Sequence, residues 1–329
     1  MSTIIQNRYD LVYMFDCKDG NPNGDPDADN APRIDPQDMH GLVSDVCLKR
    51  KIRNFVSSAG GTGNDIFIQQ RIPLNPRIAE MCDRLGIPSH RNTDKKTDKP
   101  DAAEGNAKKG IWDKKKAKGR LPEQIKSLQE ALCARYFDVR AFGGVLSTGP
   151  NAGQIRGPVQ FTFSRSIDPV QPLDLGITRV ADVDKPEGEM GRKKLIPYGL
   201  YRCHGFVSAN LAKAPSNFTD DDLATLFRAL CGRASLTAPD GGASEYGRNM
   251  FMGDESSAHG LMAPRKLVVF KHQSALGNSP AHQLLDRVLV KLKDKVKAEK
   301  RAPRSFADDY DVSINREGLT ASVEVIELL

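Results

Sequence analysis

Four carboxylates, Asp25, Asp27, Asp29 and Asp35, fall within eleven residues of one another, just after and within a run of turn formers from Asp19 to Asn30. Several carboxylates beside a basic RNA surface can hold Mg²⁺ for phosphodiester cleavage. Asp is also the ordinary residue of turns and helix N-caps, and Asp35 followed by Pro36 has that position before an expected helix, so the structural reading is the simpler one. A calcium loop opening at Asp25 fails, because Asn30 stands where Gly is required and Pro36 where the closing Glu belongs. His204, on an expected strand, is a candidate general base for metal-free RNA cleavage, set against the commoner role of a packed imidazole. The histidines at 40, 90, 204, 259, 272 and 282 form no H-x-x-x-H pair, and the six cysteines never approach closer than 28 residues in sequence, so zinc spacings are missing. There is no G-x-x-x-x-G-K-[ST], and Gly61-Thr62-Gly63 lacks the third glycine of a dinucleotide fingerprint. No metal or other cofactor is expected.

Cations make the stronger pattern. At 100° per residue, Lys49, Arg50 and Arg53 share or adjoin one helical sector and can track a phosphate backbone. Arg33, Arg140 and the run Arg192, Lys193 and Lys194 sit beside turns or glycines, and the pair Gly143 and Gly144 lets another backbone come close. The 329 residues carry 48 Lys plus Arg against 42 Asp plus Glu, a net +6. Residues 91–126 hold 12 of those cations and 6 of the anions, so that stretch accounts for the whole net charge. With Lys108, Lys109, Lys114, Lys115, Lys116 and Lys118 and few aliphatics around Trp112, it reads as a projecting insertion suited to a polyanion, the alternative being a solvated lysine-rich loop.

These residues need a frame. A hydrophobic fraction of 39% excludes a wholly disordered chain, and no apolar run approaches the roughly 18 residues of a membrane span, so no membrane partner is expected. Met1 to Asp10 lacks the pattern of a secretory signal, and the scattered cysteines read as reduced thiols of a cytoplasmic protein. Arg8–Cys17 reads as a central strand with Tyr9, Leu11, Tyr13 and Phe15 on one face. A helix is expected from an Asp35 N-cap to about Ser57, and another over Leu121–Tyr136. Asp138–Gly144 reads as a strand, and Pro158–Ser166 contains an alternating one through Val159, Phe161 and Phe163. Ile177–Pro197 reads as a protruding hairpin, and Gly199–Ala209 as a further strand. Thr219 to Asp222 is a capping box before a helix with Leu223, Leu226, Phe227 and Leu230 inside. Lys266–Phe270 and Ala321–Ile326 read as strands, with an amphipathic helix from Ala281 to about Lys297. The order matches an α+β, ferredoxin-like β-α-β-β-α-β core with an antiparallel sheet, a known platform for single-stranded RNA.

Asn21-Pro-Asn-Gly-Asp-Pro-Asp27, then Asn30, Pro32-Arg33, Asp35 and Gly41-Leu-Val-Ser-Asp-Val-Cys-Leu-Lys-Arg-Lys-Ile-Arg-Asn54, closely resembles the large repeated backbone subunit, of the RAMP superfamily, of CRISPR type I-C Cascade surveillance complexes. Asp138–Gly144, Gly157–Gln160, Pro197–Gly205 and Ser257–Lys266 extend the resemblance over about residues 8–272. It implies a hand-like molecule: an RRM-like palm over 1–59, 131–176 and 198–329, a fingers insertion over 60–130 containing the basic segment 91–126, and a thumb hairpin over 177–197. It further implies a subunit without nuclease activity that stacks head to tail along the guide RNA (crRNA), each thumb flipping out one nucleotide and leaving bases free to pair with target DNA. By that resemblance Lys49, Arg50 and Arg53 hold guide phosphates, and Met190 with its basic neighbours wedges at the kink. Partners would be crRNA, target DNA, further copies of the chain, a guide-processing small-backbone subunit, a large subunit and a recruited helicase-nuclease. The lysines of 91–126 are expected on DNA. Related type III backbone subunits cleave RNA with an aspartate in the loop before the first helix, which keeps a metal-dependent endoribonuclease as the alternative.

Overall fold

The computed structural model describes residues 2–91, 112, 114–178, 190–233 and 247–329. In chain order the elements are β1 (Tyr9–Gly20), β2 (Gly24–Asp25), β3 (Ala31–Pro32), β4 (His40–Val43), α1 (Asp45–Ala59), α2 (Leu74–Arg84), α3 (Lys114–Lys118), α4 (Pro122–Arg135) and α5 (Phe137–Phe142). There follow β5 (Gly143–Val145), β6 (Gln154–Arg156), β7 (Val159–Phe161), β8 (Ser164–Pro169), β9 (Leu173–Thr178), β10 (Met190–Val207), α6 (Asp220–Cys231) and β11 (Leu261–His272). Last come α7 (Ala281–Leu285), β12 (Val288–Leu292), α8 (Asp294–Glu299), α9 (Phe306–Asp309), β13 (Tyr310–Ile314) and β14 (Val323–Glu327). The chain forms two compact units: Met1–Ile5, Val56–Val159 and Ala209–Asp222 make one, and Gln6–Phe55, Gln160–Ser208 and Leu223–Leu329 the other.

The second unit is built on a sheet of order β14-β11-β1-β10-β8-β4, with β7 and β9 also paired to β10. β1 lies in its middle as its apolar content requires, antiparallel to β10 from Tyr9↔Val207 to Gly20↔Ile196 and to β11 on its other side. Both faces of β1 are covered. On the odd face Phe15 stacks on Tyr201 at 5.5 Å, and the Tyr13 hydroxyl donates to the Leu230 carbonyl of α6 at 2.9 Å. On the even face Val12 and Met14 join Leu200, Val268, Phe270, Leu284, Val288 and Tyr310 in one core. A strand buried on two sides reads as a nearly continuous apolar run, which is what Tyr9 to Cys17 presents. Its two buried acids are partnered: Asp10 by His272 at 3.0 Å and Asp16 by Arg265 at 2.8 Å.

The other unit has its own core, in which Phe67, Ile78, Cys82, Leu128, Leu132, Tyr136 and Ile155 pack together. This compact unit does not stop at residue 130, which lies inside α4; its middle segment runs from Val56 to Val159. Nor is the basic stretch wholly projecting, since Ala117 is buried, the Asn151 amide donates to its carbonyl, and Arg120 reaches the carbonyl of Pro88.

Four expectations about elements are corrected. Asp35 caps no helix; its carboxylate accepts from the Gln37 N–H at 3.0 Å in a turn, and Met39 adopts φ +60°, which no helix continues through. His40–Val43 then pairs with β8 as β4, and α1 begins nine residues later than expected, where the Cys47 N–H reaches Ser44 Oγ. Asp138–Phe142 is helix α5 with all six residues of Phe137–Phe142 buried, because the Asp138 carboxylate accepts from the N–H groups of Phe67 and Ile68 at 2.7 and 3.0 Å. The strand expected through Phe163 breaks at Thr162, leaving Phe163 56% exposed. The helix expected over 281–297 is α7, β12 and α8; Val288, Val290 and Leu292 alternate at period two and pair with β13 from Val288↔Ile314 to Leu292↔Tyr310. All six cysteines are free, and burial pushes the thiols of Cys17, Cys133 and Cys203 up to about 12. Among the described residues no helix is long and apolar enough to cross a membrane.

Candidate nucleic-acid interface

The loop before α1 is held by its own asparagines. Asn23 Oδ1 accepts from both the Ser44 N–H and hydroxyl at 2.9 Å, Asn21 donates to the Asn30 carbonyl, and Cys47 Sγ contacts the Pro22 carbonyl at 3.6 Å. The Asn-Pro-Asn-Gly motif thus fixes the first turn of α1 and with it the azimuth of every side chain on that helix. Val46, Lys49, Arg50 and Arg53 follow at helical spacing on one face. Val46 is 64% exposed; Lys49 bonds Asp45 at 3.0 Å and Gln160 at 3.5 Å; Arg50 is half-buried with no partner among the described residues; Arg53 is buried. The face is therefore graded, from an open end at Val46 to a covered end at Arg53. Lys51 points the other way, pairing with Asp254 beneath the Phe251 ring, a buried cation that helical periodicity did not single out.

The acidic loop folds onto cations. Asp25 lies 3.4 Å from Arg33, Asp29 lies 3.0 Å from Lys194, and Arg165 bridges Asp35 and Asp38, holding both carboxyls below the usual carboxylate range. Asp27 is exposed and its N–H turns back to Asp25. Among the described residues no group of three or more His, Cys, Asp or Glu is placed to hold a metal ion. His204 is ill-suited to receive a substrate proton: Arg202 Nε donates to its Nε2 at 3.1 Å, and burial, then the Arg202 charge, lowers its pKa.

β9 and β10 form the two legs of the expected hairpin, paired from Leu173↔Leu195 to Thr178↔Met190. Residues 179–189 between them lie outside the described residues. At the far end of the ladder Met190 is 78% exposed, with Ile177 and Leu175 also exposed beside it. Arg192 is exposed and loosely paired with Asp174 at 3.1 Å, and Lys193 is half-buried. The described parts of the two legs thus set exposed apolar side chains beside Arg192.

Two sequence candidates make close contacts within the chain. Arg140 is no surface cation: its guanidinium is bidentate to Asp222 at 2.9 and 2.7 Å and also bonds the carbonyls of Gly63 and Cys133 and the Asn64 side chain, using all five N–H donors. The backbone that Gly143 admits is the chain's own. At φ +72° a Cβ there would sit 2.3 Å from the Ile155 carbonyl and 2.4 Å from the Gly157 nitrogen, whereas Gly144 faces only Leu146. Of the lysines assigned to DNA, Lys116 and Lys118 are exposed; Lys108 and Lys109 and the side chains of Lys114 and Lys115 lie outside what is described.

A family model described as CRISPR-associated protein Cas7 matches residues 7–239 and 245–315. The chain belongs to the Cas7 family. A curated Cas7 relative, the CRISPR-associated protein Cas7 of Haloferax volcanii, is 28% identical over 252 residues, which cover 69% of this chain and 64% of that protein. The chain thus spans less than two thirds of that Cas7 relative's length. Among solved structures, a chain of a CRISPR RNA-guided surveillance complex, pre-nicking, is 16% identical over 80% of this chain and 78% of its own length, with a TM-score of 0.48. A chain of a second CRISPR RNA-guided surveillance complex is 15% identical, covering 80% and 68%, with a TM-score of 0.41. The Cas7 match spans the acidic loop, α1 and both hairpin legs, so the resemblance read from the motifs and the family agree over the same residues.

Proposed function

We propose that the chain is a non-catalytic crRNA-binding scaffold that polymerises head to tail along the guide in a type I-C CRISPR interference complex, presenting it for pairing with target DNA in antiviral defence in the cytoplasm. The observation that carries this reading is the combination, in a Cas7-family chain, of a cationic α1 face with a hairpin that exposes Met190 beside Arg192. The order β11-β1-β10-β8, with α1 between β1 and β8 and α6 between β10 and β11, supports a ferredoxin-like, RRM-like palm. The fingers then lie around 60–130 and the thumb around 177–197. Lys49, Arg50 and Arg53 line the guide backbone, Arg33 and Lys194 exchange Asp25 and Asp29 for phosphates, and Met190 wedges at the kink. Exposed ion pairs of this kind contribute at most about 1 kcal/mol, so a phosphate displaces the carboxylate at small cost. Phosphate contacts fix register while base pairing supplies sequence specificity, and a contact that does not close generates a filament. Further partners are the guide-processing small-backbone subunit, the large subunit and the recruited helicase-nuclease.

A nuclease reading through Asp25, Asp27, Asp29 or Asp35 makes a different prediction. Incubated with complementary RNA and Mg²⁺, the guide-loaded protein is expected to leave the RNA intact over hours. Products at a regular spacing, lost on an Asp→Ala change, would establish the nuclease instead. The lysines at 108, 109, 114, 115, 116 and 118 contact DNA in this account. Replacing all six by Ala is expected to weaken duplex DNA binding by the loaded complex while guide binding is retained; unchanged DNA binding removes them from that role.

A further inference from the structure

The sheet parts where β10 passes from one partner to the next. β8 pairs with β10 only at Ser166↔Tyr201 and Arg165↔Arg202, and β9 takes up the pairing at Leu173↔Leu195. Between those ladders each side carries a proline, Pro169 and Pro197, with no N–H to give, and the Val170 N–H turns away to the Met39 carbonyl at 2.9 Å. The gap is a cleft of about 530 Å³, the size of a ligand pocket, and all of it lies within the second unit. Its lining is mostly apolar: the core side chains Tyr198, Leu200 and Tyr310, with Pro169, Pro197 and Pro303.

Two charged residues line the same cleft, Asp168 and Arg304, and they are not paired with each other. The Tyr310 hydroxyl donates to one Asp168 oxygen at 2.6 Å, and among the described residues no group reaches the other. Arg304 is exposed, and its guanidinium has no partner among the described residues, yet its backbone is fixed. The buried Asp309 carboxylate accepts from the N–H groups of Arg304 and Ser305 at 2.7 and 3.1 Å and holds the Arg301 guanidinium at 2.6 and 3.0 Å. Arg301 is thus spent on the loop that presents Arg304. Residues 291–304, which end at Arg304, hold seven Lys or Arg against two acids, and Lys291, Lys295 and Lys300 are exposed with no side-chain partner among the described residues.

A ligand that suits this cleft has a flat apolar body, an N–H donor for the carboxylate and an anion for the guanidinium. A nucleotide has all three, in its base, its Watson–Crick edge and its phosphate. An acidic peptide would bring a like charge to Asp168, and a basic one to the cations of 291–304. We propose that the cleft takes one base of a single-stranded nucleic acid, with the N–H donors of the base on Asp168, its phosphate on Arg304 and further phosphates on the cations of 291–304. Guanine fits Asp168 best, because its N1–H and amino group lie side by side and a carboxylate accepts two such donors, whereas uracil has one N–H flanked by two carbonyls. The cleft shares no residue with the α1 face or with Met190 and Arg192, so either site can fail without the other.

The experiment uses the full chain and two RNA probes, an all-uridine strand and the same strand with one central guanosine, together with the matching DNA pair in thymidine. The guanosine strand is expected to bind about five- to a hundredfold more tightly, from roughly 1–3 kcal/mol for a base-edge contact. Asp168→Asn, which keeps an acceptor for Tyr310, should abolish that preference. Arg304→Ala should lower the salt slope by about 0.7, roughly a fivefold loss of affinity at 0.1 M salt referred to 1 M, and should unfold at the wild-type urea midpoint because its side chain holds nothing in the fold. Whichever pair shows the preference, RNA or DNA, names the strand. No preference in either pair, a preference retained in Asp168→Asn, or an unchanged slope in Arg304→Ala overturns the site. So does an Arg304→Ala chain that binds every probe as the wild type does but releases a partner subunit, which would make the cleft a peptide site.

Discussion

Arg140→Ala is expected to destabilise the protein by about 3–5 kcal/mol, the range for removing one partner of a buried ion pair. The side chains of Arg140 and Asp222 are only 10% and 8% exposed, and the loss is wider than one pair. Two carbonyls and an Asn side chain lose their donor, while Asp222 keeps a buried charge whose remaining partners are the N–H and hydroxyl of Thr219 in the α6 capping box. Arg140→Lys should recover little, because an ammonium cannot reproduce the planar fork. Urea unfolding followed by circular dichroism checks this through the midpoint at unchanged slope. A variant within about 1 kcal/mol of wild type would mean that the pair is not the clamp described, and would return Arg140 to the candidate RNA ligands.

The second large effect is on binding. Replacing Lys49, Arg50, Arg192 and Lys193 together by Ala should reduce the salt slope of RNA binding by about 2.8, at roughly 0.7 per phosphate contact on a single strand. Referred to 1 M salt, that is a loss of about 10²- to 10³-fold in affinity at 0.1 M. All four are at least partly exposed and none is a buried structural cation, so the variant should unfold at the wild-type urea midpoint. An unchanged slope with intact folding would exclude both the α1 face and the hairpin leg from the RNA interface. The contrast with Arg140 is instructive: two arginines of one chain, one spent on internal acceptors and one open, differ by environment that no spacing rule reports.

That contrast also shows how far the sequence could be read. β1 was legible because a strand covered on both faces leaves a continuous apolar run, and the α6 capping box was legible because Thr219 and Asp222 carry their roles in local sequence. Of the paired strands β9 and β10, the leg from Met190 fell within the expected span, whereas the first leg begins at Leu173, four residues before it, through pairing with Leu195. The start of α1 was not legible, because Asp35-Pro36 satisfies every local rule for an N-cap, and what overrides it is a pairing of His40–Val43 with β8 more than 120 residues away. The 281–297 segment fails similarly: its apolar positions fit a helix and a strand alike, and pairing with β13 decides. Phe163 was read as the third inward residue of an alternating strand, and only the ties from Thr162 to His204 end that alternation. In the candidate site, charge type and helical azimuth were readable for Lys49, Arg50 and Arg53, whereas burial was not, which is why Arg53 and Arg140 need the structure to place them.

The central claim is that copies of this chain assemble on guide RNA. The most direct measurement is the mass and nucleic-acid content of the protein purified at high salt from cells that express it with its partner subunits, with and without a guide transcript. The account predicts a multi-copy assembly carrying protected RNA of defined length when the guide is present, and smaller, RNA-free protein when it is not. An RNA-free monomer in both cases would contradict it.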